Sequence, residues 1–227
     1  MGPPCELLEK LKMELSIQNF IETGTYKAET AIRASSIFKN IFTIEFSQKL
    51  YNEAIQSHGA IDNIDFRFGN SKEELAKIIP QLNGTSLFWL DAHWSGGVTF
   101  GSVDECPLLD ELNIINSRCT DSVILIDDAR LFTSPPPLPH NVDQWPDIST
   151  VIESLQSYSS KRYVVIIEDV IVAVPEHAKT LVKSYCQQVN TKHWEEYKNQ
   201  SYRSDIKKGL KLIYSGLKKK ALSMISS

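Results

Sequence analysis

Five short apolar segments, each ended by a polar residue or a glycine, constrain the fold of this chain most strongly. They lie at residues 19–24, 41–46, 64–69, 87–91 and 123–127. Amphipathic stretches with a helical period separate or follow them, at residues 27–38, 48–57, 72–82, 105–116 and 148–158. Short buried strands that alternate with helices predict an α/β fold in which a parallel sheet carries helices on its faces.

A later strand-like segment at residues 163–174 is interrupted by Glu168 and Asp169. This pattern predicts a tight reversal between two antiparallel strands. Ser47 and Ser71 precede helical stretches and are predicted as their N-caps. Together these features predict a doubly wound, mostly parallel seven-stranded sheet with a late antiparallel hairpin and a helical C-terminal tail.

The composition favours a globular enzyme or binding module over a nucleic-acid-binding or secreted protein. The 227 residues carry a formal net charge of −4, without the basic excess that a phosphate backbone attracts. The four cysteines form no C-x-x-C pair, which predicts reduced thiols. No apolar run is long enough for a membrane span, and the N-terminus lacks a signal-peptide pattern. We expect a cytoplasmic protein with a small-molecule or glycan partner and no nucleic acid; the sequence indicates no particular oligomeric state.

The end of the chain differs in character from the rest. Residues 203–220 form a basic helical pattern with Ile206, Leu210, Ile213 and Leu217 on one side. We expect one domain at residues 1–188 and a basic helical extension at residues 189–227 that packs on it. Binding of this stretch to a membrane surface or an anionic partner is the alternative.

Two long segments interrupt the alternation, and both follow strand ends. Residues 94–104 contain three glycines, and residues 133–146 are rich in proline and include His140. Ligands of open α/β sheets bind at the carboxyl ends of the strands, so both segments are predicted lids or substrate walls. Surface connections without a role are the alternative.

A glycine ends the first predicted strand and an acidic residue ends the second. Gly24 ends the first strand and lets backbone approach a ligand closely, with the amides of the next helix beyond it. Glu45 ends the second strand about 20 residues later, at the spacing of an acid that accepts hydrogen bonds from ribose hydroxyls. Ala28 replaces a glycine of the full nicotinamide-binding fingerprint. Glu22 has two interpretations, a cofactor contact or a buried carboxylate that braces the turn.

Carboxylates also end two further strands. Asp91 follows the fourth, and Asp127 and Asp128 follow the fifth, so the three side chains should meet above the sheet. Clustered carboxylates repel one another unless a proton or cation intervenes, and Mg²⁺ prefers such oxygen ligands. The alternative is that Asp127 or Asp128 caps a turn while Asp91 only ends its strand.

His93 lies two residues past Asp91 and is a candidate general base, with a cofactor contact or a loop hydrogen bond as the alternative. Arg130 follows the acidic pair. It could bind an anionic substrate group or pair with an acid of the protein itself.

The chain resembles the class I S-adenosylmethionine-dependent methyltransferases between about residues 19 and 174. The motifs that carry the resemblance are FIETGTYK, TIEF, FGNS, FWLDAHW and ILIDD. The resemblance implies a Rossmann-like domain and a cofactor site. Its implied residues are Glu22, Gly24, Thr25, Tyr26, Glu45, Phe46, Asn70, Ser71 and Asp91. Asn70 stands where many members carry Asp, which departs from the pattern at the adenine contact.

The carboxylate motifs are similar to those of metal-dependent O-methyltransferases, among them the catechol, macrolide-sugar and cephalosporin-hydroxylase-like groups. This similarity implies Mg²⁺ or Mn²⁺ bound by Asp91, Asp127 and Asp128, with Asp91 and His93 as catalytic residues. It also implies an acceptor hydroxyl on a sugar or small natural product. A Rossmann-like NAD(P)-dependent oxidoreductase and a noncatalytic cofactor-binding module remain the alternatives.

Overall fold

The structure, a computed structural model, describes residues 2–93, 105–157 and 161–225. Its contacts divide the chain into two units, residues 1–182 and 183–227. The domain boundary at residue 188 and the packing of the extension stay predictions. The predicted lid at residues 94–104 lies outside the described residues. Within the described ranges, no helix combines the length and apolar character needed to cross a membrane.

A seven-stranded sheet forms the centre of the first unit. Its strands are β1 (Asn19–Thr23), β2 (Asn40–Glu45), β3 (Ile64–Phe68), β4 (Ser86–Leu90), β5 (Val123–Ile126), β6 (Arg162–Ile167) and β7 (Val170–Pro175). The order across the sheet is β3-β2-β1-β4-β5-β7-β6. The first five strands are parallel, and β7 is antiparallel to both β5 and β6. This confirms the doubly wound sheet with a late hairpin.

Eight α-helices accompany the sheet in the described parts of the chain. They are α1 (Cys5–Leu15), α2 (Glu29–Ser35), α3 (Gln48–His58), α4 (Ser71–Ile78), α5 (Leu108–Arg118), α6 (Arg130–Thr133), α7 (Ile148–Gln156) and α8 (Lys179–Ile225). Helix α1 was not predicted, although Leu7, Leu8 and Leu11 are buried on one side of it. Helix α8 is much longer than the predicted stretch at residues 203–220.

Local backbone chemistry explains two corrections. Asn70, and not the predicted Ser71, caps α4, because its side chain accepts a hydrogen bond from the Lys72 amide. The Ser47 cap of α3 is confirmed by its contact with the Leu50 amide. Helix α2 begins later than residue 27 because Ala28 adopts a left-handed conformation with φ of 61° and stands outside the helix.

The β6–β7 reversal follows the sequence prediction. Glu168 and Asp169 both have positive φ, 49° and 65°, which matches the right-handed twist of a two-residue hairpin.

Strands β1, β4 and β5 lie side by side in the sheet and are buried along their whole length. Their sequences are therefore mostly continuous apolar runs and do not alternate between apolar and polar residues.

Strand β1 lies between β2 on one side and β4 on the other, so the order of the strands reverses at β1. The crevice at this switch in strand order is where ligands of open α/β sheets bind.

Candidate active site

A cavity of about 170 Å³ that opens to solvent lies at the carboxyl ends of β1, β2 and β4. Seven of the nine predicted cofactor residues line it. They are Gly24, Tyr26, Glu45, Phe46, Asn70, Ser71 and Asp91. His93 lines the cavity as well. Glu22 and Thr25 do not line it and are buried, with 2% and 4% of their surfaces exposed.

Position 24 requires a glycine because the chain after β1 comes into close contact with the end of β4. Its φ is +90°, and a Cβ at this position would lie 2.3 Å from the main-chain oxygen of Asp91. No side chain fits there without a shift of backbone. The sequence predicts that Gly24 lets the backbone approach a ligand closely, which stays a prediction; the group that the structure places against Gly24 is the end of β4. The glycine thus joins the turn after β1 to the carboxylate that follows β4.

Glu45 connects the end of β2 to the same turn. Its Oε2 accepts a hydrogen bond of 2.9 Å from the Tyr26 amide, and its Oε1 accepts one of 2.7 Å from the Ser47 amide. Burial raises the pKa of Glu45, and the backbone hydrogen bonds partly offset that rise. Each carboxylate oxygen retains a second lone pair, so the side chain can still accept from a ligand in the cavity.

Glu22 occupies the bracing position that was one of its two interpretations. Thr43 donates a hydrogen bond of 2.6 Å from its Oγ1 to Oε2 of Glu22, and the hydroxyls of Thr25 and Thr43 are 2.6 Å apart. Burial raises the pKa of Glu22 to about 8, and the negative charge of Asp91 adds to the rise. Glu22 therefore carries a proton at neutral pH and links β1 to β2 as a neutral group.

On the opposite side of the cavity, Asp91, His93 and Asp128 come together. The Nε2 of His93 lies 2.8 Å from Oδ2 of Asp128, and its Nδ1 lies 3.8 Å from Oδ1 of Asp91. The His93 side chain is only 6% exposed. Asp128 is 35 residues away in the chain and has a left-handed backbone with φ of 54°. Aspartate tolerates this conformation better than most residues.

The charges of these groups depend on one another. Burial raises the pKa of Asp91 to about 7, with His93 opposing the rise and Asp127 and Asp128 adding to it. Burial opposes the protonation of His93, but its hydrogen bond to Asp128 and the charge of Asp91 outweigh burial and raise its pKa. The hydrogen bond from His93 lowers the pKa of Asp128. An ionised Asp128 only accepts hydrogen bonds, so Nε2 of His93 is the donor.

Arg130 pairs with acids of the protein itself, one of its two predicted roles. Its guanidinium lies 2.9 Å from Oδ1 of Asp128 and also contacts Asp169 in the β6–β7 turn. The Arg130 amide donates to Asp169 over 2.8 Å. The late hairpin therefore contributes to the placement of Asp128.

The three predicted metal ligands do not form a metal site as their side chains stand. In the part of the chain that the structure describes, no group of three or more His, Cys, Asp and Glu side chains could hold a metal ion. Both oxygens of Asp128 already have partners, Nε2 of His93 and the guanidinium of Arg130. Asp127 is 7% exposed, and its Oδ1 accepts from the Asp128 amide over 2.8 Å, as in the turn-capping alternative.

Glu105 is a site residue that the sequence did not reveal. Its carboxylate accepts from the Asn141 amide over 3.0 and 3.1 Å and from the Trp145 indole over 2.8 Å. The Trp145 ring in turn contacts His93 edge-on, with 5.6 Å between ring centres, and His140 with 5.2 Å. Glu105 thus fixes the proline-rich segment beside His93. No local pattern could have shown this, because its partners lie 36 to 40 residues away.

Comparisons with known proteins support the fold and not a family. No protein-family model matches the chain, and no curated protein matches it in sequence. Solved structures do match. The O-methyltransferase from Bacillus cereus in complex with S-adenosylhomocysteine is 18% identical, with a TM-score of 0.52, over 76% of this chain and 80% of that one.

Two further structures give similar values. The O-methyltransferase TomG from Streptomyces achromogenes, in complex with S-adenosylmethionine, is 13% identical with a TM-score of 0.52, over 75% of this chain and 78% of that one. A methyltransferase from Podospora anserina bound to S-adenosylhomocysteine is 15% identical with a TM-score of 0.53, over 75% and 76%. The chain therefore has the Rossmann-like fold of class I methyltransferases, as its motifs predicted.

Proposed function

We propose that the protein is an S-adenosylmethionine-dependent O-methyltransferase that acts on a hydroxyl of a sugar or a small natural product. The observation that carries this proposal is the composition of one cavity. On one side Glu45 offers carboxylate oxygens beside a glycine turn, and on the other Asp91 and His93 offer groups that can take a proton. A fold alone does not define a function, whereas these side chains determine which chemistry the cavity can support.

The cofactor side would bind a nucleoside through its own polar and aromatic groups. Glu45 would accept hydrogen bonds from ribose hydroxyls through the lone pairs that Tyr26 and Ser47 leave available. Phe46 is 47% exposed at the cavity and offers a flat apolar surface, while Asn70 offers amide groups for adenine. S-adenosylmethionine, when bound, supplies a methyl group on a sulfonium centre.

The acceptor side would orient a hydroxyl and remove its proton. Because Nε2 of His93 donates to Asp128, Nδ1 is the nitrogen that can accept a proton, and it faces Asp91. Asp128 would stabilise the imidazolium that forms. Trp145 packs against the His93 ring in an edge-to-face arrangement.

Divalent-metal assistance is a separate part of the proposal. Hard oxygen donors are present in Asp91, Asp127 and Asp128, which is the chemistry that Mg²⁺ or Mn²⁺ prefers. To bind an ion together, however, these carboxylates would have to exchange present partners for it, because His93 and Arg130 occupy the oxygens of Asp128. The proton transfer to His93 does not depend on such an exchange. Methyl transfer measured in excess chelator, with and without added Mg²⁺, separates the two mechanisms.

The experiment that tests the proposal is a binding titration followed by a transfer assay. S-adenosylhomocysteine should raise the melting temperature of the protein, whereas NAD should not, because only a ligand that binds the folded state stabilises it. Incubation with methyl-labelled cofactor and a panel of sugar and phenolic hydroxyls should then yield a labelled acceptor. Stabilisation by NAD alone would favour the oxidoreductase, and binding without transfer to any acceptor would favour the noncatalytic module.

A further inference from the structure

The second unit of the chain differs sharply in charge from the first. Residues 183–227 contain ten Lys and Arg and only three Asp and Glu, whereas residues 1–182 contain 14 and 25. The modest net charge of −4 for the whole chain hides this separation. Segregation of charge on this scale predicts a partner for the basic segment.

The basic segment is helical, and it presents an apolar face to solvent. Within α8, Tyr202, Ile206, Leu210 and Ile213 follow one another at spacings of four, four and three residues, which places them on one side of the helix. Each is between 61% and 64% exposed. Leu217 continues the same row in the sequence.

Lysines occupy the sides of the helix outside this face. Lys207, Lys208 and Lys211 project from the sides next to and opposite the apolar row and are exposed. The ring of Tyr214, 70% exposed, lies at the border between the two sides. Tyrosine is an amphipathic residue that fits a boundary between water and hydrocarbon.

We propose that this helix binds the surface of an anionic lipid membrane, with its apolar row in the acyl boundary and its lysines at the headgroups. Such a surface offers both an apolar phase and negative charge, and the helix requires both. The proposal is independent of the function of the cavity.

The other partners each satisfy only part of the pattern. A second copy of the helix would cover the apolar row, but it would bring two strongly basic segments together, and the row from Tyr202 to Leu217 is shorter than the three to four heptads that a coiled coil sustains. A nucleic acid would neutralise the lysines but would leave the apolar row in water.

Co-sedimentation of the 227-residue chain with vesicles tests the proposal. The protein should bind vesicles of phosphatidylglycerol and phosphatidylcholine at low salt, should be released by high salt, and should not bind pure phosphatidylcholine. Leu210→Gln should weaken binding roughly tenfold, because it removes one apolar side chain from the buried face. Lys207→Gln combined with Lys211→Gln should weaken binding to anionic vesicles more than Leu210→Gln does.

Leu212→Gln is the matched control. Leu212 is 71% exposed and lies two residues from Leu210, on the opposite side of the helix. Its variant should bind vesicles like the unchanged protein. Equal losses in the two leucine variants would overturn the assignment of the face, and absence of binding to anionic vesicles would overturn the proposal. Self-association or oligonucleotide binding without vesicle binding would assign the helix to a second copy or to nucleic acid instead.

Discussion

The two sides of the cavity are built in different ways. The cofactor side consists of residues at or shortly after strand ends. Its Glu45 contacts Tyr26 and Ser47, which lie 19 and two residues away in the chain. The acceptor side consists of pairs that bridge 35 to 40 residues, such as His93 with Asp128 and Glu105 with Trp145. Parallel strands align their ends whatever the loops contain, so the first side depends mainly on topology, whereas the second depends on loop conformation.

Gly24 joins the two sides, so its substitution should have the largest effect. In Gly24→Ala the new Cβ would overlap the Asp91 carbonyl, and φ of +90° would itself be strained. We expect a loss of more than about 3 kcal/mol in the free energy of unfolding, and no measurable binding of S-adenosylhomocysteine.

Gly84→Ala provides a matched control for that strain. Gly84 has φ of +81°, but the atoms nearest its Cβ position belong to the flexible side chain of Gln18. This variant should lose only roughly 1 to 2 kcal/mol in the free energy of unfolding, which is the cost of the strained backbone, and should keep its ligand affinity. Urea unfolding and calorimetry measure both quantities; similar behaviour of the two variants would contradict the role of the close approach.

His93→Ala should disable the acceptor side alone. Loss of a general base lowers the rate of methyl transfer by about 10²- to 10⁴-fold, whereas affinity for S-adenosylhomocysteine should change little. His140→Ala is the control, since His140 also contacts the Trp145 ring but does not line the main cavity. Steady-state rates together with calorimetry separate the two effects. A His93→Ala variant with an unchanged rate would remove the histidine from the proposed mechanism.

These differences explain which features the sequence predicted. The strands, their mostly parallel arrangement and the late hairpin follow from apolar runs and from Glu168 and Asp169, which are local signals. Burial of Glu22 was predicted as an alternative, because strand β1 is buried on both faces. The partners of Arg130 and the role of Glu105 could not be predicted from the sequence, because side-chain pairs between distant loops leave no periodic pattern.

Helix boundaries were predicted least well where polar side chains compete. Asn70 and Ser71 are both good N-cap residues, and only the backbone conformation of Asn70 at the start of α4 decides between them. Similarly, the left-handed conformation of Ala28 shortens α2, although alanine favours helices.

Glu45→Ala should disable the cofactor side with a smaller effect. The variant removes the acceptor of the Tyr26 and Ser47 amides as well as the proposed ribose contact. We expect a loss of about 1.5 to 3 kcal/mol in binding of S-adenosylhomocysteine, because hydrogen bonds to a charged group have this value. Glu53→Ala, at an exposed position of α3, should leave affinity unchanged. Equal affinity in both variants, measured by calorimetry, would exclude Glu45 from the ribose contact.

Glu22→Gln tests the bracing role of Glu22, through the pH dependence of stability without cofactor. The pKa of Glu22 is raised from 4.5 to about 8 in the folded protein. Its contribution to stability is therefore fully present below pH 4.5, declines at higher pH with a slope of at most about 1.4 kcal/mol per pH unit, and is lost as pH rises through about 8. Glutamine resembles the protonated acid, so the variant should lack this decline and should exceed the unchanged protein in stability at pH 8.

Asp147→Asn supplies a control, because hydrogen bonds from Thr150 lower the pKa of Asp147 from 3.8, and its contribution to stability is lost only as pH falls below that value. Between pH 5 and 9 its stability curve should therefore run parallel to that of the unchanged protein. Urea unfolding of the three proteins from pH 5 to 9 gives the comparison, since the linked difference in bound protons appears directly in the slope. If the curves of Glu22→Gln and the unchanged protein ran parallel between pH 5 and 8, Glu22 would be ionised in the folded state. The role of Glu22 as a neutral brace between β1 and β2 would then be excluded.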